Sequence, residues 1–195
     1  MSKILSLKGL TSLVPISSPM KALSIGTSIE IKARCPDPAR IRGILRTRKA
    51  RFRGLDHQID TYFRVPTGRL KLREGNIENA LIYYKRADQK NSKKCDSALF
   101  PCAGKTPLKK ILTRALGVLT VVDKKREIYF IKNAKFHIDR VKKLGSFVEI
   151  EVFGSGSVAL KLRKQCEFYQ KLLGIRPEDL LADSYSDQIL KCRKR

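Results

Sequence analysis

The chain has 195 residues and carries 42 Lys and Arg against 18 Asp and Glu, which gives a formal charge of +24. Apolar residues make up 42% of it, enough for a packed core, and no run of about 18 apolar residues predicts a membrane-spanning helix. The charge predicts an anionic partner: a phosphate compound, a nucleic acid or a membrane surface. The cysteines are odd in number and lack a C-x-x-C pair, which argues against a disulfide scaffold or zinc ribbon and indicates a reducing compartment.

The beginning of the chain differs in composition from the rest. Residues 1–26 contain no Asp or Glu, and Pro15 and Pro19 interrupt any helix. We expect an N-terminal extension, either loosely attached to the fold or serving as a targeting segment. Transit peptides are usually rich in Arg, which residues 1–28 lack. The expected location is therefore cytoplasmic, with a mitochondrial location as the alternative if these residues are a transit peptide.

From Thr27 onward the sequence predicts a succession of strands and short helices. Residues 27–34 alternate apolar and polar side chains with the period of two that is typical of a strand. Asp37-Pro38 combines an N-cap with a proline in the first turn and predicts a helix to about Arg48. The next predicted strands are Asp56–Phe63, Arg69–Arg73 and Ala80–Arg86.

The second half of the chain predicts more strands and ends in helices. A polar loop is expected over Lys90–Asp96, and a helix over Pro107–Leu116. The remaining predicted strands are Ser97–Cys102, Val118–Val122, Lys124–Ile131, Lys135–Val141 and Ser146–Phe153. A helix is predicted over Val158–Leu173 and a short final helix over Pro177–Leu181, before a basic tail at residues 191–195. We therefore expect one domain over residues 27–190.

Five of these segments carry charged side chains at a period of two. They are Glu30/Lys32/Arg34, Arg69/Lys71/Arg73, Lys124/Arg126, Lys135/His137/Asp139 and Glu149/Glu151. One interpretation is an antiparallel sheet with one face in solvent. The other is a barrel with a charged interior, which requires an occupant of opposite charge because buried charges must be paired. Basic residues that converge with a few carboxylates suit a metal-bound triphosphate, since the cations neutralise phosphate oxygens and the carboxylates hold a divalent ion.

The order of these segments resembles the CYTH superfamily, also called the triphosphate tunnel metalloenzymes. The segments are IEIKAR at 29–34, QIDTYF at 58–63, GRLKLREG at 68–75, LIYY at 81–84 followed by Arg86, KKR at 124–126 and GSFVEIE at 145–151. The resemblance is strongest to the class IV adenylate cyclase-like and thiamine triphosphatase branch, and it extends from about Thr27 to Leu190. It implies an α+β fold in which an eight-stranded antiparallel β-barrel forms a triphosphate tunnel surrounded by helices.

The resemblance also implies a cofactor and site residues. Metal ligation of Mg²⁺ or Mn²⁺ would fall to Glu30, Glu149 and Glu151, phosphate binding to Lys32, Arg73, Arg86, Lys124 and Arg126, and catalysis to Lys32 and Asp139. The family's E-x-E-x-K motif is incomplete here, because Ser28 occupies the position of its first Glu. The implied reaction is either hydrolysis of thiamine triphosphate, tripolyphosphate or a nucleoside triphosphate, or cyclisation of ATP to cyclic AMP.

A non-catalytic basic module that binds RNA or polyphosphate is the alternative. The charge of +24 and the loss of a carboxylate at Ser28 both favour it. The basic stretch Arg40–Arg53 predicts a solvated helix face, with contact to nucleic acid as the other interpretation. Carboxylates placed among the cations favour the enzyme, because a nucleic-acid surface does not need them. Weak non-specific binding of nucleic acid is expected in either case, and His137 is interpreted as structural.

Overall fold

Eight strands form a closed barrel in the computed structural model, which describes residues 23–104, 106–154 and 159–193. In chain order the elements are β1 (Ser24–Arg34), α1 (Pro38–Thr47), β2 (Arg51–Phe63), β3 (Arg69–Gly75), β4 (Ala80–Arg86), β5 (Lys93–Pro101), α2 (Leu108–Leu116), β6 (Val118–Ile131), β7 (Ala134–Val141), β8 (Gly145–Gly154), α3 (Ala159–Leu172), a 3₁₀ helix (Pro177–Asp179) and α4 (Tyr185–Arg193). The strands follow one another around the barrel in the order β1-β5-β4-β3-β2-β6-β7-β8, and every neighbouring pair is antiparallel. The predicted α+β barrel is confirmed.

The register of β1 directs its charged side chains into the barrel. β1 lies between β5 and β8, and its pairing with β8 places Glu30 opposite Glu151 and Lys32 opposite Glu149. Residues directly opposite each other share one face of a sheet, and alternate residues share that face along a strand. The charged residues of β1 and β8 therefore point inward together, while Ile31 and Ile150 point outward.

The apolar core lies outside the barrel, beneath helices α1 and α3. Outward-facing residues of β1, β7 and β8 pack there against the helices, and Ile31, Phe136 and Ile150 are almost completely buried. Phe136 meets Tyr169 of α3 edge-on, with ring centroids 4.9 Å apart. Because the outside of the sheet is covered, the interpretation as a sheet with one solvated polar face is wrong, and the charged side chains face the interior.

Several element bounds differ from the prediction. β2 begins at Arg51, so the basic stretch that was predicted as a helix face ends in a strand. β5 begins at Lys93, within the predicted polar loop, because its side chains alternate between the interior and solvent. β6 is one strand rather than two, since Asp123 lies on its outer face, where it accepts a hydrogen bond from His57 Nε2 at 2.8 Å when that nitrogen is protonated.

Helix α4 is absent from the prediction, which placed a short helix over Pro177–Leu181 instead. The structure has a 3₁₀ turn there, and the first residues of the predicted basic tail, up to Arg193, form the last turn of α4. The sequence signal for α4 is weak, because only Tyr185 and Ile189 supply large buried apolar side chains, one turn apart.

The N-terminal extension lies largely outside the described residues, which exclude residues 1–22. β1 begins at Ser24, somewhat earlier than the predicted strand start at Thr27. Within the described residues, no helix combines the length and the apolar character that a membrane crossing requires.

Candidate active site

The barrel encloses a cavity of about 500 Å³, a volume in the range of pockets that hold organic ligands. Its ionisable lining comprises the basic residues Lys32, Arg53, Lys71, Arg73, Arg86, Lys124, Arg126 and Lys135 and the acidic residues Glu30, Asp60, Glu78, Glu149 and Glu151. The eight cations outnumber the five carboxylates, so the enclosed field is positive and attracts anions.

The structure brings together all but one of the residues that the sequence predicted for the site. The predicted residues that line the cavity are Glu30, Lys32, Arg73, Arg86, Lys124, Arg126, Glu149 and Glu151. They come from six different strands, and the alternation of each strand aims them at a common space. Ser28, which replaces the family's first Glu, lines the same cavity.

Asp139 is the exception, because it is fully buried behind Arg126 and does not line the cavity. Its carboxylate accepts hydrogen bonds from Arg126 Nε at 2.7 Å, from Arg126 Nη2 at 2.6 Å and from the Tyr185 hydroxyl at 2.7 Å. Burial alone would raise the pKa of Asp139, but Arg126 lowers it to about 2. The expectation that Asp139 faces the cavity is thereby corrected: its oxygens are engaged in holding the Arg126 guanidinium in position.

Asp60 gathers three of the cations around one carboxylate. It accepts hydrogen bonds from Lys71 Nζ at 3.0 Å, from Lys124 Nζ at 2.7 Å, and from Arg73 Nε and Nη2 at 2.9 and 3.1 Å. Burial would raise the pKa of Asp60, but Arg73, Lys124 and Lys71 together hold it well below its ordinary value. Three cations share one anion, which leaves an excess of positive charge where a phosphate group can bind.

A second cluster combines an imidazole with two carboxylates. His137, Glu149 and Glu151 offer ligand atoms that all lie within 4.8 Å of one another. Burial, with Arg126 and Lys135 nearby, lowers the pKa of His137 to about 3, so the imidazole is neutral and has a lone pair to donate. Burial and the neighbouring Glu149 raise the pKa of Glu151 to about 7.

This donor set fits a divalent cation. Among the described residues Glu151 has no ion-pair partner, and a bound cation would supply the missing positive charge. Carboxylate oxygens suit Mg²⁺ or Mn²⁺, and an imidazole nitrogen is compatible with Mn²⁺. Glu30, which was also predicted as a ligand, lies outside this group and accepts a hydrogen bond from Arg86 Nη1 at 2.8 Å. His137, interpreted as structural, belongs to it.

Arg53 is a cavity residue that the strand pattern concealed. The pairing of β2 with β6 shifts by one residue between Phe52 and Gly54, which is a β-bulge. The bulge rotates Arg53 toward the cavity, although simple alternation from Asp60 would place it outside. Nothing in the local sequence other than the glycine marks this change.

Glu78 also escaped prediction, because it lies in the turn between β3 and β4. It accepts hydrogen bonds from Arg73 Nη1 at 3.1 Å and from Lys135 Nζ at 2.7 Å. The turn is held by Asp56, whose carboxylate accepts hydrogen bonds from the backbone N–H groups of residues 76, 77 and 78 at 2.6–3.0 Å. A buried Asp that organises a turn gives no sequence signal of its own.

Helix α4 covers the end of the barrel at which β3 begins and β7 ends. Tyr185 lies against Phe147 with ring centroids 4.9 Å apart, and the Lys32 ammonium lies 4.1 Å from the Tyr185 ring centroid. Arg69 Nη2 donates to Asp187 at 2.8 Å, which fastens α4 to β3. Lys93 Nζ donates to the carbonyl oxygens of residues 181 and 182, which fastens the preceding segment to β5.

Comparison with protein families decides the membership of the chain. The CYTH domain model matches residues 27–185, most of the sequence. The chain belongs to the CYTH family. Among curated proteins, no sequence matches this CYTH chain.

Solved structures share the barrel of this CYTH protein. A protein from Pyrococcus horikoshii OT3 matches with a TM-score of 0.73 and 27% identity, over 82% of this chain and 98% of that one. A proposed adenylate cyclase from Vibrio parahaemolyticus matches with a TM-score of 0.68 and 16% identity, over 85% and 98%. A proposed adenylyl cyclase from Hippeastrum, in which a triphosphatase activity dominates, matches with a TM-score of 0.55 and 14% identity, over 86% and 96%. At these identities the last two likenesses show the fold alone.

Proposed function

We propose that this protein is a divalent-metal-dependent enzyme that breaks a P–O–P bond of a triphosphate bound inside the barrel. The observation that carries the proposal is the enclosure, in one cavity, of a surplus of cations beside a cluster of metal-ligand atoms. Phosphoryl transfer needs little from a protein beyond positioning and charge neutralisation, and this cavity provides the groups for both.

Lys71, Arg73 and Lys124 would bind the phosphate chain where they converge on Asp60. An arriving phosphate oxygen competes with the Asp60 carboxylate for their N–H groups, so the cations are held in place before the substrate enters. Arg73 presents a planar fork that can hold two oxygens, whereas each Lys offers a compact charge. Arg86 adds a further cation beside Glu30.

Lys32 and Arg126 would act beside the metal-ligand cluster, because both donate to Glu149. Glu149, Glu151 and His137 would hold Mg²⁺ or Mn²⁺, and the bound ion would neutralise charge on the phosphate oxygens. Asp139 holds the Arg126 guanidinium from behind and is a positioning residue in this scheme. Attack by water gives hydrolysis, and attack by a ribose 3′-hydroxyl on the α-phosphorus gives cyclisation.

The carboxylates favour the enzyme over a basic binding module for RNA or polyphosphate. Glu30, Asp60, Glu78 and Glu149 each pair with a cavity cation, which reduces the attraction for a passive polyanion. Glu151 is costly to keep among them, since its pKa is raised, unless it binds a cation.

The experiment is a metal-by-substrate screen with ATP, thiamine triphosphate and inorganic tripolyphosphate, with products analysed as orthophosphate, pyrophosphate and cyclic nucleotide. We expect turnover that requires Mg²⁺ or Mn²⁺ and is lost in Glu151→Gln. The matched control is Glu167→Gln on the exposed face of α3, which should retain wild-type turnover. Absence of turnover, combined with polyanion affinity that falls steeply with salt, would identify a binding module instead.

A further inference from the structure

One side of the cavity differs chemically from the rest. Ala80 and Ile82 of β4 lie opposite Pro101 and Leu99 of β5 in the strand register, so the two cross-strand pairs form one continuous patch. All four side chains line the cavity, and we call this patch the apolar wall. The four residues share the inward face because they alternate with outward-facing neighbours along both strands.

The apolar wall contrasts with the charged side chains on the other strands. β5 contributes no charged residue to the cavity lining, and β4 contributes only Arg86, at its last position. A polyphosphate chain against this wall would lose water from its oxygens without gaining hydrogen bonds in return. An apolar or aromatic group there would instead leave water for a surface that needs no hydrogen bonds.

The wall also adjoins the phosphate-binding cations. Ile82 is paired with Lys71 and Ala80 with Arg73 across β3 and β4, and neighbouring strands lie about 4.8 Å apart. A group on the wall is therefore within one strand spacing of the row that converges on Asp60. This separation suits a molecule in which an organic group is directly bonded to a phosphate chain.

From this arrangement, and resting on the proposed function, we propose that the substrate is an organic triphosphate whose organic group packs on the apolar wall. The phosphate chain then extends from the wall past Lys71 and Arg73 toward the metal-ligand cluster. Inorganic tripolyphosphate would occupy the same cations but leave the wall without a partner.

The test measures binding to the metal-free protein by calorimetry, so that affinity is separated from turnover. The probes are ATP, thiamine triphosphate and inorganic tripolyphosphate, compared on wild type, Leu99→Asn, Leu99→Met and Ile25→Asn. Leu99→Asn keeps the size of the side chain but makes the wall polar, whereas Leu99→Met keeps it apolar. Ile25→Asn is the control, since Ile25 lies on β1 near the same end of the barrel but is 79% exposed to solvent.

We expect Leu99→Asn to weaken the tightest organic triphosphate about tenfold, which is about 1.4 kcal/mol, and to leave tripolyphosphate within about twofold. Leu99→Met and Ile25→Asn should leave both ligands within about twofold. If Leu99→Asn does not fold by circular dichroism, Leu99→Ala takes its place with the same expected selectivity.

Equal loss of both ligand types, no loss of either, or no binding of any triphosphate would overturn the inference. Cleavage of tripolyphosphate with a higher kcat/KM than that of either organic triphosphate would also overturn it. The proposed function fails separately, if none of the three compounds is turned over with Mg²⁺ or Mn²⁺ while the binding comparison still shows the selective effect of Leu99→Asn.

Discussion

Replacing Asp60 with Asn should destabilise the barrel strongly, because one carboxylate balances three buried cations. Four hydrogen bonds converge on it, and Lys124, with 1% of its side chain exposed, has no other carboxylate partner among the described residues. Breaking a buried ion pair from one side costs about 3–5 kcal/mol. Since 1 kcal/mol shifts the Tm of a domain of this size by about 2–4 °C, we expect Tm to fall by about 6–20 °C.

The assay is thermal unfolding of Asp60→Asn beside Asp123→Asn. Asp123 also pairs with cationic groups on the barrel, His57 and Lys142, but on its outer face, so its loss should cost no more than about 1 kcal/mol. Metal-free tripolyphosphate should raise the Tm of Asp60→Asn more than that of wild type, because it restores negative charge among the cations. Equal Tm values for the two variants, with equal responses to tripolyphosphate, would refute this account of Asp60.

Three further outcomes are expected. Metal affinity, measured by calorimetry with Mn²⁺, should drop at least tenfold in Glu151→Gln and remain unchanged in Glu167→Gln, because only the first residue belongs to the ligand cluster. The pKa of Glu151 is about 7 in the folded protein against an ordinary 4.5, so its contribution to stability is complete below about pH 4.5 and is lost as the pH rises to 7; urea unfolding of metal-free protein should show the stability of wild type falling relative to Glu151→Gln by about 3 kcal/mol across that window. Steady-state kinetics of Arg73→Ala should show kcat/KM reduced by about 2–4 kcal/mol, with KM raised, whereas Arg73→Lys should lose mainly kcat; wild-type kinetics in Arg73→Ala would show that its guanidinium does not touch the substrate.

The sequence predicted the barrel well where strands alternate cleanly. Around Glu30 and Lys32, and again around Glu149 and Glu151, each charged residue lies between apolar ones, and the two strands pair in the structure so that their charges face each other. Alternation determines which side chains share a face, and the family resemblance added which face is the interior. Both were needed, since alternation alone left the solvated sheet open as an interpretation.

What the sequence did not predict depends on contacts between distant segments. Arg53 enters the cavity through a bulge, and Glu78 enters it from a turn that the distant Asp56 holds. Asp139 satisfies the alternation, yet the Tyr185 hydroxyl and Arg126 occupy its oxygens. The direction of a strand residue follows from its neighbours in the chain, but whether its polar atoms remain available depends on what packs against them.

The cover that α4 forms over one end of the barrel has a consequence for the order of events in a catalytic cycle. With Tyr185 and Phe147 stacked across that end, a substrate enters phosphate-first through the other end and its organic portion follows. Whatever is cut from the inner end of the chain then lies behind the larger fragment and leaves only after it. The larger product should therefore depart first, and at high concentration it should trap the smaller one inside, so inhibition by the two products should not be symmetrical.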